Sequence, residues 1–206
     1  MTENDSTQPT LPRRRLLALG VVAATTGTGL AGCLGGGGGT AESTDTATPE
    51  PTDDSGTASL SEPISPTEDD ECGVCKMTPA EYPDYNAQLT VEAGDRVHFC
   101  SSGCMAAYYV APGNFESAHE GASFVGVWAH DHATKDLIDA TTAWFVKETN
   151  ADRVDDPMMK NPLPFAVEAD AESYVEKYED LTAEDVVRLD DFDVALAKQY
   201  RGRFFE

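Results

Sequence analysis

Four cysteines in two close pairs, Cys72-Gly-Val-Cys75 and Cys100-Ser-Ser-Gly-Cys104, are the residues of this chain best suited to chemistry. A Cys-x2-Cys and a Cys-x3-Cys separated by 24 residues form a metal-ligand spacing. The first pair fits a backbone knuckle. The second fits a helix start, where residues four apart share a face and the helix N-terminus favours thiolate. Met77 and Met105 flank the pairs, and Met158-Met159 lie in a later polar stretch. Thioether sulfur is soft, uncharged and never protonated, so it adds little for hard cations but binds Cu(I) well. Four thiolates alone would suit zinc and need no methionine. The mixed sulfur set tilts the reading to Cu(I), with zinc as the alternative. Cu(I) accepts two or three ligands, so a site closed by a loop methionine can open and hand its ion over.

Plainer roles compete for the same residues. Met105 sits beside Tyr108 and Tyr109 on the expected helix, where a methionine fills core space. Met158 and Met159 stand among Pro, Asp and Lys without an apolar period and remain ligand candidates. A bridge within either cysteine pair would make a thiol/disulfide surface protein, although short-range bridges are strained. His130-Asp131-His132 closes a strand, and in extended chain both imidazoles would point to one side as a possible second site. His98, beside Cys100, is a weaker candidate ligand, and His119, in a Gly/Ser/Glu loop, reads as surface. No phosphate loop, Gly-x-Ser-x-Gly or His-Glu-x-x-His is present, so the chain is expected not to be an enzyme.

The elements that must position these residues follow from patterning. Residues 86–91 alternate like a strand, 92–95 have hairpin-turn chemistry, and 96–99 make a second strand. Residues 103–110 read as a helix stopped by Pro112-Gly113, and 123–130 as a third strand. The order then repeats: strand 141–146, a shorter strand 164–167, an amphipathic helix 169–178 and strand 185–189. The expected fold is α+β, two small strand-strand-helix-strand repeats, each an antiparallel-type sheet covered by a helix. The lobes would cover about 71–132 and 133–192, within one metal-binding domain at 71–192. Residues 147–163 are polar and read as a long mobile loop, and loops of that length are usually functional. The tail at 193–206 is open to a last helix or a frayed end.

The 206 residues carry 14 Lys+Arg against 37 Asp+Glu, a formal net charge of −23. Such acidity repels nucleic-acid phosphates and excludes that partner class, and it resembles the composition of proteins from salt-loving organisms. No apolar run reaches the ~20 residues of a bilayer-spanning helix. Arg13-Arg14-Arg15 before a weakly apolar stretch resembles a twin-arginine signal over residues 1–32. Leu30-Ala-Gly-Cys33 resembles a lipobox, in which Cys33 is acylated. Residues 33–70, with five glycines and then Thr, Ser, Pro, Glu and Asp, read as a disordered acidic tether. The expected location is therefore the extracytoplasmic face of the membrane, through a lipid anchor.

With these residues in view, the chain resembles the NosL family, lipoprotein copper chaperones that help assemble nitrous-oxide reductase. The matching stretches are Cys72-Gly-Val-Cys-Lys-Met77, Tyr82-Pro-Asp84, Ala87-Gln88, Trp128-x-x-Asp131 and Leu137-Ile-Asp-Ala140. They continue with Ala143-Trp-Phe-Val146, Pro157-Met158, Pro164-Phe-Ala166 and Asp170-Ala-Glu172, in order over 71–190. The resemblance implies two strand-strand-helix-strand repeats and Cu(I) binding by Cys75 with Met77 beside it and Met158 from the later loop. It also implies nitrous-oxide reductase or its assembly machinery as partner. Two departures stand out. Lys76 takes the place of a usual glycine, and Cys100 and Cys104 add thiols, so that their segment resembles TRASH or YHS metal-handling modules.

Overall fold

The strand alternation at 86–91 and the turn that follows set the first sheet. In the computed structural model, which describes residues 59–156 and 158–205, β1 (Ala87–Val91) and β2 (Arg96–Phe99) form an antiparallel hairpin. Gly94, at φ 109, supplies the left-handed residue of its turn, and its N–H donates to the Val91 carbonyl. α1 (Ser102–Val110) follows β2 almost directly, and β3 (Phe124–His130) returns antiparallel on the other edge of β1. β4 (Leu137–Asp139) then adds a strand to β3, giving the order β2-β1-β3-β4. Three residues, two of them exposed, are too few for alternation to register, so the sequence pattern did not predict β4.

The second half repeats the plan. β5 (Trp144–Lys147) lies centrally between β6 (Pro162–Phe165) and β7 (Val186–Arg188), with α2 (Glu168–Val175) inserted before β7. In both sheets the first strand of the repeat pairs antiparallel with the other two, so the two strand-strand-helix-strand units and the α+β class stand as expected. β6 tolerates Pro162 and Pro164 because it is an edge strand. It begins two residues earlier than the pattern indicated, which shortens the interstrand loop, and a 3₁₀ turn at Ala151–Arg153 gives that loop local structure.

Alternation along β5 sends successive side chains into different cores. Val146 joins Leu163, Phe165, Ala171, Tyr174 and Val175 beneath α2. Phe145 faces the other way and joins the main core of Leu89, Phe99, Met105, Tyr108 and Leu196. Met105 is fully buried, the core role its setting suggested. The smaller lobe is therefore layered between its own helix and the body of the larger.

The tail forms α3 (Val194–Arg201), capped by Asp193, whose carboxylate accepts from the Leu196 N–H at 2.7 Å. Leu196, Ala197 and Tyr200 pack into the main core, and α3 runs against α1. Residues 59–70, read from sequence as the end of a tether, lie against the hairpin. The Gln88 side chain is bonded to both the N–H and the carbonyl of Ile64, and Arg96 donates to the carbonyls of Ser59 and Glu62. Gln88 sits on a central strand with its side chain buried, so pairing an adjacent backbone is how its amide is satisfied. The signal segment, Cys33 and the remainder of the tether lie outside the described residues. Among the described residues no helix is long and apolar enough to cross a membrane.

Candidate metal centre

The first cysteine pair is shaped by backbone hydrogen bonds. The Lys76 N–H donates to the Cys72 carbonyl at 3.1 Å, the Cys72 N–H to the Met77 carbonyl at 2.8 Å, and the Cys75 N–H to Cys72 Sγ at 3.5 Å. Closing the knuckle puts Lys76 at φ 64, a conformation glycine adopts without penalty. The Gly73 N–H donates to the His98 carbonyl at 2.9 Å and so fastens the knuckle to β2. A Cβ on Gly73 would lie 2.5 Å from Val97 Cγ1 and 3.2 Å from Phe99 Cε1, so only glycine allows this approach.

The second pair comes from the end of β2 and the first turn of α1. Cys100 follows Phe99, and Cys104 follows the N-cap Ser101, whose carbonyl accepts from the Cys104 N–H at 3.1 Å. The hairpin and helix carry these thiols to the knuckle. Cys100 Sγ lies 3.2 Å from Cys75 Sγ, 3.7 Å from Cys104 Sγ and 3.9 Å from Cys72 Sγ. All four sulfurs fall within 4.8 Å of one another, and among the described residues this is the one group of three or more Cys, His, Asp or Glu able to hold a metal ion. All four are free thiols, so neither of the alternative short-range bridges is formed. Cys72, Cys100 and Cys104 are fully buried and Cys75 is half-buried.

Crowding shares protons unevenly within the cluster. Hydrogen bonds from Cys100, then Cys104 and Cys75, hold Cys72 well below an ordinary thiol. Bonds from Cys100 and then Cys104 bring Cys75 down to about 7. Cys100 is raised by its contacts with Cys104, Cys72 and Cys75 and by burial. At Cys104 the bond from Cys100 pulls downward, but its bonds to Cys72 and Cys75 and its burial outweigh that pull, and the thiol is raised. A metal that took all four sulfurs would displace the thiol protons.

One group sequence reasoning passed over completes the surroundings. Arg201, from the tail left open to fraying, is only 4% exposed, and its Nε donates to Cys104 Sγ at 3.1 Å. The signal available was an arginine at the end of an amphipathic stretch beginning with an Asp cap, which does not say where the side chain goes.

The methionines are placed differently from the thiols. Met158 is half-buried and packs against the core that includes Cys72, Cys100 and Cys104. Its N–H donates to the Asp156 carboxylate at 2.7 Å. Burial raises Asp156 to about 6. Met159, at φ 69, is 60% exposed. Met77 is half-buried and its backbone carbonyl, rather than a sulfur contact, closes the knuckle. Tyr82 packs against the core near the thiols, and burial first, then Glu81 and the charges of Cys100 and Cys75, raise its phenol.

The histidines do not join the cluster. His130 Nδ1 bonds the Asn86 carbonyl at 2.7 Å, while His132 packs edge-on to Phe165 and Tyr174. His98 is buried with Nδ1 unpartnered, and desolvation lowers its pKa. His119, expected at the surface, is 7% exposed, wedged between the Tyr108 hydroxyl and the Asp95 carboxylate. A 3₁₀ turn at Ser117–His119 swings it inward, and the polar loop composition hid this.

No curated protein matches this chain. The crystal structure of the copper chaperone NosL from Shewanella denitrificans is similar to it, at 22% identity and a TM-score of 0.51. That match covers 65% of this chain and 97% of the Shewanella protein, and it shows a shared fold. The NosL family model matches residues 63–192, which span both sheets and all four thiols. On that match the chain belongs to the NosL family.

Proposed function

We propose that the chain is a Cu(I) carrier that receives and hands on its ion by ligand exchange at the four-thiol cluster. The observation that carries this reading is the gradient of exposure within the cluster. Three sulfurs are sealed and Cys75 alone reaches toward solvent. A recipient's sulfur or imidazole could bond the ion beside Cys75 as Cys75 lets go, with no change of oxidation state and at no stage a bare ion. Cys75 is the first ligand exchanged, Met158 and Met77 are the thioether ligands the family resemblance supplies, and Cys72, Cys100 and Cys104 are the retaining sulfurs. Family membership supports the same reading. The twin-arginine and lipobox patterns support an anchored protein on the extracytoplasmic face, acylated at Cys33. Nitrous-oxide reductase or its assembly machinery is the recipient this reading assigns.

One geometric observation favours a second reading. Sulfurs bound to zinc at about 2.3 Å stand ~3.8 Å apart at the corners of a tetrahedron, and Cys100 lies 3.7 and 3.9 Å from Cys104 and Cys72. Zinc would then be a structural ion of an interaction module. Competition between the reduced full chain and a chromophoric Cu(I) chelator separates the two. One tightly held Cu(I), weakened in Cys75→Ser and in Met158→Leu, supports the carrier. One retained zinc, whose chelation unfolds the domain while methionine substitution changes nothing, establishes the alternative.

A further inference from the structure

A buried guanidinium needs an anion or a complete set of acceptors. Besides Cys104 Sγ, Arg201 bonds only neutral oxygens. Nη1 donates to the carbonyls of Lys160 at 3.3 Å and Tyr200 at 2.9 Å, and Nη2 to Ser101 Oγ at 2.8 Å and Asn161 Oδ1 at 2.7 Å. Among the described residues no carboxylate forms an ion pair with it. The sulfur cluster is the anion in direct hydrogen-bond contact with it, and the Asp156 carboxylate acts on it only from beyond ion-pair distance. Four thiolates around Cu(I) or a divalent ion leave the site strongly negative, and sealed sulfurs have no water to offset that charge.

The same side chain also ties the site together. Ser101 occupies the N-cap position of α1, and Asn161 Oδ1 additionally accepts from the Gly103 N–H at 3.1 Å, in the turn that carries Cys104. Lys160 and Asn161 follow Met158-Met159 and lead into β6. A Cβ on Gly103 would fall 2.4 Å from Asn161 Oδ1 and 2.8 Å from Arg201 Nη2, so the small residue there makes room for this contact. Arg201 lies beyond the segment matched by the family model, on a helix that belongs to neither sheet.

We propose that Arg201 is a positioning residue of the metal centre, whose guanidinium offsets the charge of the metal–thiolate cluster and holds Cys104 in the ligand set. The inference rests on the cluster being a metal site, as in the carrier reading, but is indifferent to which ion occupies it. Outer donors of this kind typically change metal affinity about 10–100-fold. Titration of the reduced full chain with Cu(I) against a chelator, and separately with Co(II) followed by thiolate charge-transfer absorption, tests it. Arg201→Met and Arg201→Gln should each bind both ions about 10–100-fold more weakly. Arg201→Lys, which keeps the charge, should bind more tightly than Arg201→Gln. In a Cys104→Ser background, Arg201→Gln should change affinity by less than about threefold, because the partner sulfur is gone.

Far-UV circular dichroism of each apo protein identifies the folded variants, and Arg201→Gln serves if Arg201→Met does not fold. Parental affinity in a folded Arg201→Gln, or an equal loss in the Cys104→Ser background, would overturn the proposal. Failure of the parent to bind Cu(I), with Co(II) still bound and still sensitive to Arg201, would instead sink the carrier function and leave the arginine's role standing.

Discussion

Cys75 Sγ and Cys100 Sγ lie 3.2 Å apart although 25 positions separate them in sequence. One belongs to a knuckle and the other to the end of a strand. Their approach depends on the Gly73 N–H bond to the His98 carbonyl as much as on either cysteine. This junction is where the cluster meets solvent.

Substituting the two thiols should therefore have different consequences. Cys75→Ser is expected to weaken Cu(I) binding by more than about 100-fold, beyond what outer-sphere changes cause, while leaving the apo fold close to the parent. Cys100→Ser should weaken binding at least as much. It should also lower apo stability by about 1–3 kcal/mol, because Cys100 is fully buried and within hydrogen-bond distance of the other three sulfurs. Chelator competition and urea denaturation in reductant measure the two effects separately.

Lys76 occupies a left-handed position at φ 64. Replacing it with glycine should stabilise the reduced protein by about 1 kcal/mol, the penalty an L side chain carries there less the entropy glycine gives up on folding. Lys76→Val should instead destabilise it, because a branched Cβ is the poorest fit to that region. A denaturation midpoint for Lys76→Gly below that of the parent would contradict the strain argument.

Gly73→Ala tests close packing rather than φ. Its new methyl would meet Val97 Cγ1 at 2.5 Å on a strand that cannot retreat without leaving β1. Overpacking of this kind costs about 1–3 kcal/mol. Because the knuckle would be lifted from β2, metal affinity should fall together with stability. A stability loss with unchanged metal binding would show that the knuckle closes independently of β2.

His132 predicts an acid limb in the stability of the smaller lobe. Desolvation against Phe165 and Tyr174 lowers its pKa below the ordinary 6.5. Lys135 and Lys177 act in the same direction, and Asp131 and Glu148 oppose them. Between the lowered folded value and the unfolded one the denatured chain binds more protons, so stability falls as pH drops below about 6.5. Substituting His132→Phe should keep the aromatic packing and flatten that part of the curve. Thermal melts of the apo protein from pH 7.5 to 5 should show the parent losing more Tm than the variant.

The sequence by itself determined the two repeats, because alternation, hairpin chemistry and helix punctuation are local signals. It also singled out the four thiols that the fold brings together, since their spacing already names a knuckle and a helix start. Tertiary structure decided which groups surround them. The start of β6 at Pro162 was missed, on an edge strand where a missing N–H does no harm, and β4 was too short to register. His119 turned inward on a single 3₁₀ turn. Arg201 is the sharpest case: a charged side chain near a chain end reads as solvated until packing of Leu196, Ala197 and Tyr200 fixes its helix against α1. Contacts of that kind depend on long-range packing, and nothing in the local pattern near residue 201 encodes a sulfur 97 positions away.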